Sequence, residues 1–151
     1  MINHKSSLIL IIDFGSQYTQ LIARRVRDSG VYSIVESNDV SVEQIIKINP
    51  NGIILSGGPE SVGSKKKINL TKKIFNLNIP ILGICYGMQF IAHHFKGKVN
   101  TSNKREFGHS NFIIQGKSKL FSSIGKTKNL NVWMSHSDKV IKLPKNFLTI
   151  G

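Results

Sequence analysis

Residues 80–89 read Pro-Ile-Leu-Gly-Ile-Cys-Tyr-Gly-Met-Gln, and this stretch decides the fold because it predicts a strand turning sharply into a helix. Its apolar run 81–84 lies between a proline and glycines, which is typical of a buried strand. Apolar residues then continue at helical spacing from Met88 to Phe95. We therefore expect Cys85 at the carboxyl end of a sheet, facing a helix N-terminus whose N–H groups and dipole favour a negatively charged sulfur.

Cys85 is the only cysteine of the chain, and its surroundings predict a nucleophile. Gly83 and Gly87 flank it at a distance of two residues, as small residues flank the serine of a G-x-S-x-G elbow. A buried core cysteine is the commoner fate of a lone cysteine, but these glycines favour the catalytic interpretation. A single cysteine also excludes a disulfide framework and a cysteine zinc site, and it suits a reducing cytosol.

Length and charge limit the kinds of protein that this sequence can be. A chain of 151 residues is long enough for one domain with a real core. The net charge is +13, but most lysines stand singly, so we expect a solvated surface and no specific nucleic-acid site. The N-terminus matches neither a signal peptide nor a membrane span, so we expect a cytoplasmic protein with no membrane partner.

Working outward from Cys85, strands and helices alternate through the first half of the chain. Strands are predicted at 8–13, 31–36, 52–56 and 81–84, and helices at 17–29, 41–48 and 69–76. In the first helix Leu21, Ile22 and Val26 are expected to face the core, and Ser41 is the expected N-cap of the second. This order predicts an α/β fold with a doubly wound, mostly parallel, flavodoxin-like sheet.

Beyond Gly97 the pattern changes to short apolar or alternating segments. They lie at 112–114, 130–134, 139–143 and 147–150 and are predicted to be strands of an antiparallel extension or of the far side of the sheet. The last of these predicted strands runs to the end of the sequence, so we expect the domain at 8–151 to be incomplete. The short polar stretch 1–7 is expected to be a disordered tail. An incomplete sheet would expose an unpaired edge and favour aggregation.

Three predicted loops converge at the carboxyl ends of the strands, where open α/β sheets bind ligands. They begin at Asp13, at Ser56 and at Cys85. Gly57 and Gly58 offer backbone N–H groups without side-chain obstruction, which suits stabilisation of an oxyanion. Gly-Gly-Pro is also ordinary turn chemistry, so it is the neighbouring cysteine that makes the catalytic interpretation strong.

At this point the chain resembles a known family, the class I glutamine amidotransferases, through Gly83-x-Cys85-x-Gly87-x-Gln89. Four further strings narrow the resemblance to the amidotransferase domain of the GMP synthase family: Asp13-Phe14-Gly15-Ser16-Gln17-Tyr18, the stretch 54–62, Arg105-Glu106-Phe107-Gly108 and the stretch 133–140. The resemblance covers essentially the whole chain from Leu8 to Gly151.

The resemblance implies that Cys85 attacks the side-chain carboxamide of L-glutamine, releasing ammonia and leaving a thioester that water hydrolyses. It assigns the oxyanion hole to the backbone N–H groups of Gly58 and Tyr86, and substrate binding to Gln89. Substrate binding is also assigned, largely through backbone, to Ser135, His136, Ser137 and Asp138. In the family a glycine usually stands where this chain has Ser137.

The family also has a catalytic His-x-Glu pair downstream of the stretch that matches 147–151, where this sequence has no residues. His93 and His94 lie along the helix, roughly 12 Å from the nucleophile by helical rise, and are expected to be an ordinary helix face. We therefore expect the chain alone to be a weak or inactive glutaminase, since general acid–base catalysis typically supplies ~10²–10⁴-fold.

The resemblance implies no cofactor and no metal in this chain, with ATP and Mg²⁺ bound only by a missing synthetase module. That ATP-pyrophosphatase module, as a domain or a separate subunit, would aminate XMP to GMP in purine biosynthesis, and a homodimer would form through the missing part. One alternative is a degenerate amidotransferase that binds glutamine or regulates a synthetase partner. A nucleotide-binding flavodoxin-like protein is a weaker alternative, because no Gly-x-Gly-x-x-Gly loop follows Asp13.

Overall fold

A computed structural model describes residues 7–59, 70–116, 118–124 and 129–151, and within its strands all side chains except those of 101–107, 136 and 137. Its main sheet has four parallel strands: β1 (Leu8–Asp13), β2 (Tyr32–Ser37), β3 (Gly52–Leu55) and β4 (Ile81–Gly83). The strands lie in the order β2-β1-β3-β4. The predicted α/β fold with a mostly parallel sheet is confirmed.

Helices cover both faces of this sheet: α1 (Thr19–Asp28), α2 (Val42–Ile48) and α3 (Tyr86–His94). One core cluster joins Leu10 and Ile12 of β1 to Ile45 of α2 and Phe90 of α3. Ile11 points to the opposite face, where α1 packs against β1 and β2. Because β1 is covered on both faces, its apolar run is continuous, as the sequence predicted.

The second helix follows its sequence signals closely. Ser41 is the N-cap of α2, its hydroxyl accepts the Gln44 N–H, and the Gln44 side chain accepts the Ser41 N–H. This reciprocal capping box satisfies two N–H groups at the start of the helix. The helix ends at Asn49, which adopts a left-handed conformation (φ 53°) directly before Pro50.

Three predictions about the first half of the chain were wrong in detail. Leu21 is exposed, and the buried residues of α1 are Thr19 and Ala23, with Ile22 and Val26 half-buried, because the helix face turned to the sheet is centred on Ala23 and not on Leu21. The strand before Cys85 is not fully buried: β4 is an edge strand and Leu82 is exposed. The segment predicted as a helix at 69–76 is a 3-10 helix at Lys72–Asn76, capped by Thr71, and Asn69 lies outside the described residues.

The second half forms a long antiparallel ribbon of β5 (Lys98–Ile113) and β6 (Asn129–Lys142) that packs against α3. The strands predicted at 112–114, 130–134 and 139–143 fall on this ribbon as an antiparallel extension, but β5 and β6 are longer than predicted and the register shifts between Thr101 and Glu106. The segment 147–150 is not a strand, a prediction that was wrong, although Ile150 accepts the Gln115 N–H. Among the described residues, no helix is long and apolar enough to cross a membrane.

Candidate active site

The loop after β1 is held together by one carboxylate. Asp13 Oδ1 accepts the N–H groups of Gly15 (2.8 Å) and Ser16 (3.2 Å) and the hydroxyl of Thr19 (2.6 Å). This is the Asx-turn chemistry that aspartate favours in tight turns. Gly15 has a φ of +89°, a conformation that glycine adopts without strain. The carboxylate thus fixes where α1 begins and where Ser16 lies.

The loop after β3 packs directly on this first loop. A Cβ at Gly58 would lie 2.8 Å from the Phe14 carbonyl oxygen, and a Cβ at Gly15 would touch the Pro59 ring at 3.5 Å. Only a glycine fits at position 58, because the neighbouring atom there is backbone and cannot move aside. The two loops are therefore interlocked, and the backbone of Gly58 is held next to that of Phe14.

The loop after β4 is a strained elbow with Cys85 at its apex. Cys85 has φ 49° and ψ −109°, which is rare for any residue other than glycine, and its side chain is exposed. The next residue, Tyr86, is the first of α3. Such strain costs roughly 1–3 kcal/mol and is typical of functional sites. The predicted strand–cysteine–helix turn is present in the structure.

The glycines on either side of Cys85 are required by space. A Cβ at Gly83 would meet the Gly87 backbone at 2.6 Å, and a Cβ at Gly87 would overlap the Leu55 carbonyl. The Gly87 N–H also donates to the Ser56 carbonyl at 3.0 Å. The start of α3 therefore lies directly against the end of β3. This contact fixes the elbow beside the loop of Gly57 and Gly58, called the glycine loop below.

All three loops meet at Gly57. A Cβ there would lie 3.5 Å from Cys85 Cβ and 3.4 Å from Ser16 Oγ, so Cys85, the loop of Gly57 and Gly58 and the first loop are neighbours. Below them the Tyr86 ring is buried against the Phe14 ring, with centroids 5.2 Å apart. The Phe90 ring also packs on the Phe14 ring, with centroids 5.7 Å apart. This aromatic packing anchors the base of the site.

Two predicted substrate-binding residues carry buried oxygen atoms that lack partners. Gln89 is 6% exposed and Asp138 is 5% exposed. Within the described part of the chain, Gln89 Oε1 and Asp138 Oδ1 have no hydrogen-bond partner. Buried polar groups are nearly always paired in folded proteins, so each of these oxygens has an acceptor capacity that the described residues leave unused.

The other predicted binding residues lie on β6. Ser135 is exposed and pairs with Phe107, and His136 pairs with Glu106. Ser137 lies at the position where the register shifts. The structure thus brings Cys85, the glycine loop and the start of α3 together, and it places 135–138 on the ribbon that contacts α3. Glu60, Ser61 and Val62 of the loop motif lie outside the described residues.

The histidines that the sequence offered as alternative bases have other contacts. His94 stacks on Phe75 with a centroid distance of 4.3 Å. Burial, followed by the charges of Lys72 and His93, lowers the pKa of His94 from its ordinary value of 6.5. His109 packs edge-on against Trp133. No group of three or more metal-ligating side chains occurs among the residues that the structure describes.

Sequence reasoning named the loops after β1 and β3 but missed what their polar side chains do. Asp13, Ser16 and Ser56 received no role, although their hydrogen bonds shape the site. For Asp13 a signal was present, since an aspartate followed by Gly-Ser at a strand end is typical of an Asx turn. Ser56 gave no such signal, because a serine that ends a strand has many ordinary explanations.

Comparisons with known proteins agree with this geometry. The family model described as class-I glutamine amidotransferase matches residues 10–151. The chain is 54% identical over 144 residues to a GMP synthase (glutamine-hydrolyzing) of Helicobacter pylori and 51% identical over 149 residues to one of Photorhabdus laumondii. Each match covers 95% of this chain but 28% of the relative, so the chain spans little more than a quarter of their length.

A solved structure gives the same result at the level of the fold. A protein of Thermoplasma acidophilum, described as a candidate subunit of GMP synthase, superposes with a TM-score of 0.85 and 31% identity. The match covers 98% of this chain and 73% of that protein. Sequence and structure comparisons therefore point to one family.

Proposed function

This chain belongs to the class-I glutamine amidotransferases, and from that premise we propose that it is the glutamine-hydrolysing part of a GMP synthase. Cys85 is the nucleophile, and ammonia from glutamine is the product that the rest of the enzyme uses. The proposal depends above all on one observation: the strained Cys85 has its Cβ 3.5 Å from where a Cβ at Gly57 would be, beside a glycine loop interlocked with its surroundings.

In the first step Cys85 Sγ forms a bond to the side-chain carboxamide carbon of glutamine. The carbonyl oxygen becomes an oxyanion, which the backbone N–H groups of Gly58 and Tyr86 receive. Tyr86 opens α3, so the positive end of the helix dipole adds to this stabilisation. The C–N bond then breaks, ammonia leaves with the thiol proton, and a γ-glutamyl thioester remains on Cys85.

In the second step water cleaves the thioester, which yields glutamate and restores the thiol. Both steps need a group that moves a proton at the leaving or attacking atom. The family places this task on a His-x-Glu pair, and we assign it to no residue of 1–151. His94 and His109 are engaged with aromatic rings, which supports leaving them out of the mechanism.

Recognition of the substrate follows from the two buried oxygens. Gln89 lies one turn of α3 beyond the nucleophile, and its free Oε1 can accept an N–H of the bound carboxamide or α-amino group. Asp138 Oδ1 can accept from the α-ammonium group as a charge-assisted hydrogen bond. The backbone of Ser135, His136 and Ser137 supplies the remaining contacts of the amino-acid end.

The ammonia would pass to an ATP-pyrophosphatase domain or subunit that aminates XMP to GMP, in the cytoplasm. The two curated relatives carry the name of the complete enzyme, and this chain covers 28% of each, which supports a synthetase module elsewhere. ATP and Mg²⁺ belong to that module. Any homodimer contact is assigned there as well.

Labelling of Cys85 tests this function without requiring turnover. A chloroketone analogue of glutamine, in which a chloromethyl ketone replaces the carboxamide, should alkylate Cys85, and free L-glutamine should slow the reaction. L-asparagine, one methylene shorter, should protect far less. Iodoacetamide reports the reactivity of the thiol alone. Equal labelling with and without glutamine would refute a glutamine site at Cys85.

A matched pair of variants on α3 sharpens the result. Gln89→Leu removes the buried amide and should weaken protection by glutamine about tenfold, since a hydrogen bond to a buried group is worth roughly 1–1.5 kcal/mol. Met88→Leu, at the exposed neighbouring position, should leave protection unchanged. If the two variants behave alike, Gln89 does not bind the substrate.

A further inference from the structure

The loop after β3 contains a buried hydroxyl that the mechanism above does not use. Ser56 is fully buried, and its Oγ accepts the Phe14 N–H at 3.0 Å. The same Oγ lies 2.8 Å from the Gly57 carbonyl and 3.5 Å from Asp13 Oδ1. A hydroxyl has one proton to donate, and the shorter distance assigns it to the Gly57 carbonyl.

The Gly57 carbonyl belongs to the same peptide unit as the Gly58 N–H. A peptide is planar, and no cis peptide bond occurs among the described residues, so the C=O and the N–H of this unit point in opposite directions. Holding the carbonyl toward Ser56 therefore fixes the direction of the N–H. Packing against Phe14 sets where this peptide lies, but the two glycines place little restriction on its rotation, so the hydrogen bond selects its orientation.

The backbone of Ser56 also holds the nucleophile elbow. Its carbonyl accepts the Gly87 N–H at 3.0 Å, and its N–H donates to the Ile12 carbonyl at 3.0 Å. One residue thus connects β1, the peptide that supplies the first oxyanion donor, and the first turn of α3 behind Cys85. The side-chain bond is the part of this connection that a substitution can remove.

We infer that Ser56 is a positioning residue, whose hydroxyl presets the Gly58 N–H for the oxyanion that forms at Cys85. This inference rests on the proposed function and names a residue that touches neither substrate nor the reacting atoms. Preset donors stabilise charge without reorganisation at the moment of reaction. Loss of a whole donor costs about 10²–10³ in rate, so misorientation of one should cost roughly tenfold.

Ser56→Ala tests the inference, with Ser33→Ala as its matched control. Ser33 is also a buried serine with two side-chain hydrogen bonds, to the Ala23 carbonyl and from Arg27 Nε, but it lies in β2 near its amino end. For each protein the chloroketone reaction is followed against concentration, giving the saturating rate constant kinact and the half-saturation constant KI. Iodoacetamide rates and melting temperatures are measured in parallel.

The ketone oxygen of the bound chloroketone takes the place of the developing oxyanion, so kinact reports the donors there. We expect Ser56→Ala to lower kinact roughly tenfold with KI and the iodoacetamide rate unchanged, and Ser33→Ala to leave all three unchanged. Ser56→Thr retains the hydroxyl and should recover most of the lost rate. A merely structural role would lower the melting temperature without this split between kinact and KI.

Each remaining outcome overturns the inference. It fails if kinact of Ser56→Ala equals that of the native chain, if Ser33→Ala slows to the same degree, or if Ser56→Thr reacts as slowly as Ser56→Ala. A Ser56→Ala chain that does not fold also overturns it, because the hydroxyl is then a requirement of the fold. Failure of glutamine to protect native Cys85 is a different result, which refutes the proposed function and the inference together.

Discussion

The elbow around Cys85 and the β5–β6 ribbon both need glycine, but for opposite reasons. At Gly87 the backbone dihedral is ordinary and space is absent, since a Cβ would overlap the Leu55 carbonyl. At Gly108 space is open, with nothing within 4 Å of a Cβ, and a φ of +120° demands glycine. The elbow is thus positioned by close packing of backbone, and the ribbon by its own dihedrals and strand pairing.

This comparison predicts its largest effect for Gly87→Ala. The added methyl group meets fixed backbone, so we expect a loss of about 4 kcal/mol in unfolding free energy, or a chain that does not fold. Gly108→Ala should cost about 1–2 kcal/mol, from dihedral strain alone. Urea denaturation measures both. Equal losses at the two positions would show that the elbow has room to adjust.

At the apex of the elbow, glycine should give a more stable protein than alanine. Cys85 holds a strained φ of 49°, so Cys85→Gly should exceed Cys85→Ala in stability by about 1–2 kcal/mol, despite the entropy that glycine loses on folding. Both variants should lose all labelling by the chloroketone. Thermal melts of the two variants provide the comparison. If Cys85→Gly is less stable than Cys85→Ala, the turn is not strained.

A substitution in the ribbon should impair recognition and leave the reactivity of the thiol intact. Asp138→Asn removes the charge that would hold the α-ammonium group of glutamine, so protection of Cys85 by glutamine should weaken about tenfold or more. The iodoacetamide rate should stay unchanged. Asp28→Asn, at the exposed C-terminal residue of α1, is the control. Unaltered protection in Asp138→Asn would separate the ribbon from the site.

The smallest effect concerns pH and lies at the far end of α3. The pKa of His94 is lowered by burial, then by Lys72 and His93, so the unfolded chain takes up this proton first as pH falls. The stability contributed by neutral His94 is therefore complete above its ordinary pKa of 6.5 and declines below it, until the lowered pKa is passed. Urea denaturation at a series of pH values measures this decline.

His94→Phe keeps a ring on Phe75 and removes the titration, so its stability should depend less on pH across this interval. His93→Gln, at an exposed position on the same helix, should retain most of the native dependence. A native-like slope in His94→Phe would place the origin of the pH dependence in another group.

Sequence patterns predicted the elbow well because its causes are local. The apolar run before Cys85 and the glycines two residues to each side express the strand, the turn and the crowding directly. A local signal also predicted Ser41 as the N-cap of the second helix, which the structure shows as the first residue of a capping box with Gln44. The exposure of Leu21 and of the edge strand β4 could not be predicted this way, because it depends on which part of each sheet face is covered.

The ribbon was predicted less well because its causes are distant in sequence. Its strands pair residues more than 15 positions apart, from Ile113 with Asn129 outward to Lys98 with Lys142, and no short segment reveals that register. The predicted strand at 147–150 failed for the same reason, since alternation alone does not supply a partner strand. The binding role predicted for residues on β6 came from family resemblance and not from local pattern.

A crystal structure of the chain treated with the glutamine chloroketone tests the central claim most directly, because it shows both regions acting on one ligand. We predict a covalent bond from Cys85 Sγ, with the ketone oxygen ~2.7–3.1 Å from the backbone N–H groups of Gly58 and Tyr86. The amino-acid end should lie against Gln89 and Asp138. A ligand whose ketone oxygen points away from Gly58, or whose amino-acid end leaves Asp138 unpaired, would contradict the account.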